Sequence, residues 1–285
     1  MSKLILGCGY LGRRVGAGWR AAGHEVHGVV RKAEQAQQLA AEGIRPIVGD
    51  VTEPATLSNL PWAETALYCV GYDPAGARSR WEVYVEGLRH VLDRLSPATQ
   101  RVLFISSTSV HGEAGGEWVD EDSPCRPFRE AACALLAAES LLAAHPLVRR
   151  AVVLRLAGLY GPGRLPRQAT GPFDSSQAMA VPQCCWVNLI HVEDAAALVL
   201  AAEGSPRAPR TYLVSDGHPV QRREYLRRLA ELMGAPTPTF RESEAVGAGR
   251  GGQKRVSNAR MIRELKVPLR YPTYHEGLAA AVAGR

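Results

Sequence analysis

From residue 3 to about 160, short β-branched apolar runs alternate with longer stretches rich in Ala, Leu and Arg. That alternation is the pattern of a parallel sheet covered by helices on both faces. It predicts strands over residues 3–6, 25–30, 45–48, 65–69, 101–106 and 150–156, and helices near 10–22, 34–42, 79–95 and 129–144. In the third helix Trp81, Val85, Leu88, Val91, Leu92 and Leu95 recur at helical spacing, a stripe suited to core packing or to a second copy of the chain. After 160 the rhythm breaks at Pro162, Pro166, Pro172 and Pro182. It resumes with a short strand and helix over 186–202, a strand at 210–214, and helices near 222–233, 258–265 and 274–283. The expected fold class is α/β, a doubly wound parallel sheet with a smaller C-terminal lobe. The core would span 1–164, with 187–216 returning to it, and the lobe would comprise 165–186 and 217–285.

A chain of 285 residues with 46% hydrophobic content can bury a substantial core, which excludes disorder for most of it. The formal net charge of +6 suits a phosphorylated ligand. No aromatic-and-basic motif accompanies the charge, so nucleic acid is not an expected partner. The longest uncharged apolar run near the middle, Ala195 to Ala202, falls far below the ~18–20 residues that cross a bilayer, and no membrane partner is expected. The start of the sequence lacks the pattern of a secretory leader, which predicts a cytoplasmic protein. The six cysteines show no C-x-x-C spacing, so neither a zinc site nor a redox pair is expected; Cys184 and Cys185 are adjacent in an irregular stretch.

Gly7-Cys8-Gly9-Tyr10-Leu11-Gly12 matches G-x-G-x-x-G, directly after an apolar strand and at the start of a helix. In that context the glycines permit a tight turn, a close approach of backbone to a pyrophosphate and close packing of helix on strand. The second strand ends in Val29-Val30-Arg31-Lys32, with no carboxylate to accept a ribose 2′-hydroxyl. A cation at that place accommodates a 2′-phosphate, so the expected cofactor is NADP in preference to NAD. Arg31 and Lys32 also fit a solvated helix entry. In Gly49-Asp50-Val51, after the third strand, Asp50 is placed to hydrogen-bond an adenine amine or to cap the following turn.

The segments Gly7 to Gly12, Gly49-Asp50-Val51, Phe104 to Gly112, Arg155 to Arg164, Asn188 to Asp194 and Tyr212 to Gly217 together resemble the extended or atypical short-chain dehydrogenases/reductases, in the NAD-dependent epimerase/dehydratase group. The resemblance covers nearly the whole chain. It implies a Rossmann core, a bound nicotinamide dinucleotide, a C-terminal lobe that holds substrate, and a homodimer through the helices at 79–95 and 129–144. In this group a Tyr and a Lys four residues apart precede a Glu, and counting back from Glu139 those places hold Ala131 and Leu135. Neither transfers a proton. The group's Ser or Thr corresponds to Ser107, the aromatic four residues later is His111, and the helical Asn of many relatives is Tyr84.

Ser107 can hydrogen-bond a carbonyl beside the nicotinamide. His111 and Tyr160 are candidates to supply the proton, with Tyr72, Asp73 and His191 as further possibilities at the carboxyl ends of the strands. His111, Tyr160 and His191 equally fit packing roles, and Asp73 a turn beside Pro74. Residues 250–270 carry Arg250, Lys254, Arg255, Arg260, Arg263, Lys266 and Arg270 against Glu264 alone. That run is either a solvated face or, around Arg250 to Arg255, a clamp for an anionic substrate. The expected activity is oxidoreductase or epimerase chemistry with altered acid-base groups, slow on ordinary carbonyls. The rival is an NADP-binding sensor without hydride transfer.

Overall fold

The computed structural model describes residues 1–165, 178–182, 185–205, 208–242 and 253–284. The chain groups into two compact units. The first comprises Met1–Val110, Pro127–Arg155 and Ala196–Tyr212; the second comprises His111–Arg126, Leu156–Ala195 and Leu213–Arg285.

In order along the chain the elements are β1 (Ser2–Leu6), α1 (Tyr10–Ala21), β2 (Glu25–Val30), α2 (Ala33–Ala41), β3 (Arg45–Val48), β4 (Thr65–Tyr68), α3 (Gly87–Leu92), β5 (Arg101–Ser107), β6 (Trp118–Val119), α4 (Glu130–Ala144), β7 (Ala151–Leu156) and β8 (Gly158–Tyr160). They continue with β9 (Met179–Ala180), β10 (Trp186–Val187), β11 (Leu189–His191), α5 (Val192–Glu203), β12 (Arg210–Val214), β13 (Val220–Gln221), α6 (Arg222–Leu232), β14 (Phe240–Arg241), β15 (Arg255–Val256), α7 (Ala259–Leu265) and α8 (Tyr274–Ala283). None of the described helices is long and apolar enough to cross a membrane.

The first unit is built on a seven-stranded sheet of order β12-β7-β5-β4-β1-β2-β3, the Rossmann arrangement. The pairings from β3 to β5 are parallel. Leu4, Ile5 and Leu6 of β1 and all of β4 are buried, as strands covered on both faces must be. Pro46 sits on the edge strand β3, where a missing N–H costs no ladder bond. Because β2 and β4 flank β1 on opposite sides, the order reverses there, and sheets of this kind take their ligands beyond the carboxyl ends of the strands at such a point.

One predicted helix differs. The expected continuous helix at 79–95 contains a π-helical turn at Glu82–Glu86 before α3. The Tyr68 hydroxyl donates to the Val83 carbonyl at 2.6 Å, engaging that carbonyl from the sheet side. Gly87 lets the helix come this close, since a Cβ there would lie 2.7 Å from Val51 Cγ2 and 2.8 Å from Tyr68 Oη.

In the second unit, α6 and α8 share a core of Tyr160, Leu189, Tyr225, Leu226, Tyr274 and Leu278. Thr273 and Glu276 close a capping box at the start of α8. Among the described residues four two-stranded pairs complete the scaffold: β8 with β11, β10 with β13, β9 with β14, and β6 with β15. The Asn188 side chain holds β15 from both directions, donating to the Lys254 carbonyl at 3.0 Å and accepting the Val256 N–H at 2.8 Å. Residues 247–252 of the glycine-rich basic stretch, with Arg250, lie outside the described residues, as do Pro166, Pro172 and Cys184.

Candidate active site

The turn after β1 is shaped by its glycines. Gly7 has φ +87°, and a Cβ there would lie 2.7 Å from the Val70 backbone. At Gly12 a Cβ would meet the Gly7 carbonyl at 2.9 Å and Cys69 Sγ at 3.1 Å, so α1 packs directly onto the strand ends. Gly9 faces open space. The start of α1 carries no side-chain cap and no acidic residue in its first turn, which leaves the positive end of the helix available to an anion. Leu11 is buried beneath the turn, and Tyr10 stacks with the Arg14 guanidinium at 4.4 Å. Burial pushes the Cys8 thiol up to about 12 and the Cys69 thiol higher still, so both act as small core residues.

Around this turn the neighbouring strand ends add polar groups. Arg31, after β2, pairs at 3.1 Å with Asp73 from the loop beyond β4; Arg31 is exposed and Asp73 partly exposed. The Ala75 N–H, followed by Arg31, holds the Asp73 carboxyl below its usual range. Asp50 Oδ1 accepts from the Thr52 N–H at 2.8 Å and its hydroxyl at 2.7 Å, forming a turn after β3. Val51 is buried, and its carbonyl is hydrogen-bonded to His90 Nδ1 at 2.9 Å.

Ser107 ends β5, half-buried, and its hydroxyl oxygen accepts the Ser109 N–H at 3.1 Å. Behind it the Ser106 hydroxyl donates to Glu139 at 2.5 Å, and Arg155 grips the same carboxylate at 2.7 and 3.1 Å. Glu139 thereby fixes α4 to the sheet. Ala131 is half-buried and Leu135 buried on that helix. Arg80, not singled out by any motif, lays its guanidinium over the Tyr72 ring at 4.3 Å and pairs with Glu130 at 2.9 Å. A lone arginine in a helix carries no local signal of such stacking.

His111 and Tyr160 belong to the second unit, where both are almost completely buried. Tyr160 stands edge-on to His191 at 5.3 Å, with its hydroxyl against α8 in the space left by Gly277. His191 packs on Tyr271 at 3.9 Å. The Arg270 and Tyr271 N–H groups donate to Asp194 at 2.7 and 3.0 Å. Asp216 accepts the His218 N–H on Oδ1 at 2.9 Å, while its buried Oδ2 has no hydrogen-bond partner among the described residues. Burial pushes its carboxyl up to about 7, against the pull of His218. The Lys254 ammonium is buried on the Gly112 carbonyl at 2.7 Å. Arg255 lies between the Trp118 and Trp186 rings at 5.2 and 5.4 Å and donates to the Gly116 carbonyl. Both cations are thus engaged by groups of their own unit.

Comparison with known proteins adds three relatives. The sequence model described as NAD dependent epimerase/dehydratase family matches residues 4–215. Protein YeeZ of Escherichia coli (strain K12) is 32% identical over 194 residues, 67% of this chain and 66% of YeeZ, so the match spans just under two thirds of that relative. A Methylobacillus flagellatus structure, described as a candidate NAD-dependent epimerase/dehydratase, shares 35% identity over 99% of this chain and 97% of its own, with TM-score 0.79. The 2-alkyl-3-oxoalkanoate reductase of Stenotrophomonas maltophilia (strain K279a) is 25% identical over 265 residues, 85% of this chain and 79% of the reductase.

Proposed function

Since the chain belongs to the NAD-dependent epimerase/dehydratase family, we propose that it is a reductase of small carbonyl compounds that uses NADP in preference to NAD. The observation that carries this reading is the turn at the switch point of the sheet. It combines the open face of Gly9 with an uncapped helix start, a fit for a dinucleotide pyrophosphate. Residues 7–12 would hold the pyrophosphate, Arg31 and Lys32 the 2′-phosphate, and Asp50 the adenine amine. The reduced nicotinamide, when bound, supplies a hydride. Ser107 accepts a backbone N–H and so keeps its own proton to donate to a substrate carbonyl.

Asp73 favours a second reading of the cofactor, because it brings a carboxylate to Arg31 that could take a ribose 2′-hydroxyl instead. Nucleotide titrations of wild type, Arg31→Ala and Asp73→Asn separate the two. NADP preference should fall in the first variant and rise in the second; the opposite pattern would establish NAD as the cofactor.

The substrate class we infer is a 3-oxo acid, by analogy with the reductase of S. maltophilia. Turnover of acetoacetate with NADPH tests it, and absence of turnover across 3-oxo acids of increasing chain length would refute it. Exposed Trp81 and half-buried Leu136 and Leu141 on the helices at 80–92 and α4 support the proposed homodimer. Sedimentation should give twice the chain mass at micromolar concentration, and a monomer there would exclude it.

A further inference from the structure

We propose that residues 71–80 form a strap over the dinucleotide site, fastened by exposed ion pairs, and that the cofactor enters and leaves by opening it. This rests on the dinucleotide reading above and deepens it.

The course of the segment is fixed by its contacts. It leaves β4 at the glycine turn, where the Cys69 N–H donates to the Leu6 carbonyl at 2.9 Å and a Cβ on Gly7 would lie 2.7 Å from Val70 Cα. It next reaches the end of β2, where Asp73 pairs with Arg31 at 3.1 Å. It then reaches the turn after β3, where Arg78 pairs at 3.0 Å with Glu53, whose own N–H donates to the Asp50 carbonyl. From there it returns, with Arg80 laid over the Tyr72 ring at 4.3 Å and paired at 2.9 Å with Glu130 at the start of α4. In succession the segment meets the ends of β1, β2 and β3, the places assigned above to the pyrophosphate, the 2′-phosphate and the adenine. β1 and β3 are two strand spacings apart, about 10 Å, while residues 71–78 extend to about 26 Å. The crossing has length to spare, enough to rise over a bound dinucleotide.

Its fastenings suit opening. No residue from 71 to 80 is buried; Tyr72, Asp73 and Arg80 are half-buried and the rest are exposed. A segment without buried apolar contacts opens locally at little cost. The pairs that tie it down, Arg31–Asp73, Arg78–Glu53 and Arg80–Glu130, each leave at least one partner well exposed to water. Such pairs are individually weak and screened by salt. Within the segment the Asp73 carboxylate accepts the Ala75 N–H at 3.1 Å, and at its far end Glu82 accepts the Ser79 N–H at 2.8 Å, so it keeps a local shape while its corners come loose. One corner, Arg31–Asp73, involves the cation assigned to the 2′-phosphate. Glu53 and Glu130 hold the other two and have no place in the assignment of the cofactor, so they can be changed without touching it.

The test uses Glu53→Ala, Glu130→Ala and the double variant, with association and dissociation rates of NADPH followed by stopped-flow nicotinamide fluorescence. A strap limits entry and exit alike. Each single variant should therefore raise both rates about 1.5- to 5-fold, the worth of one exposed ion pair, and the double variant about 2- to 25-fold, with Kd changing less than either rate. Trypsin cleavage after Arg78, which all three variants retain, should slow when NADPH is bound to wild type. A double variant with both rates within about 1.5-fold of wild type overturns the strap while the dinucleotide reading stands. So does faster dissociation with unchanged association, the mark of a lost contact rather than an opened cover, and so does cleavage after Arg78 that NADPH leaves unchanged. Failure of wild type to bind either NADPH or NADH overturns the dinucleotide reading itself, and the strap with it.

Discussion

Glu139 in the first unit, nearly buried, and Asp216 in the second, buried, are both carboxyl groups largely shut off from solvent, and their surroundings could hardly differ more. Glu139 takes two bonds from Arg155 and one from Ser106, so its charge is matched inside the protein. Asp216 receives one backbone N–H on Oδ1, and among the described residues Oδ2 meets nothing that donates. A matched buried charge is fragile to loss of its partner. An unmatched one is cheapest when protonated, so it ties the stability of its unit to pH. The first unit also closes the buried Lys3 in this way, held by Glu64 at 2.9 Å and by Glu203.

The largest expected effect comes from unmatching the first pair. Glu139→Ala strands Arg155 in the interior and should destabilise the protein by about 3–5 kcal/mol in urea unfolding. A loss under 1 kcal/mol would mean that Arg155 finds water or another acceptor, and the contrast with Asp216 would collapse.

The second break targets the pH dependence. The folded pKa of Asp216, about 7, lies above the ordinary 3.8, so the stability it contributes is fully present below pH 4 and is lost as pH rises through 7. Over that window the slope attributable to this one group is about −1.4 kcal/mol per pH unit. Asp216→Asn should remove that slope and make the variant more stable than wild type at pH 8. Parallel stability profiles for the two proteins would show that Asp216 ionises freely.

Much of the first unit was legible because its signals are local. Strand, glycine turn and helix follow one another within residues 2–21, and the turn's chemistry requires glycine at positions 7 and 12. The π-helical turn was not legible, since Trp81, Val85 and Leu88 keep a helical spacing whether or not one carbonyl is drawn away by Tyr68. The Arg31–Asp73 pair joins two strand ends 42 residues apart, and nothing near either residue announces the other. In the second unit the β6–β15 pair is two residues long on each side and spans a sequence gap of more than a hundred. Such strands are too short to show a period-2 pattern. The basic run at 250–270 reads as one charged face, yet Lys254 and Arg255 are engaged by carbonyls and tryptophan rings that only the fold brings near.

The central claim, that the turn after β1 binds a nicotinamide dinucleotide with a 2′-phosphate preferred, is open to one direct measurement. NADPH and NADH are titrated separately into the purified protein, following nicotinamide fluorescence. The account predicts saturable binding of both, with NADPH at least tenfold tighter and both lost in Gly7→Ala, whose Cβ would drive into the Val70 backbone. Saturable binding of neither, or binding that survives Gly7→Ala unchanged, would contradict it.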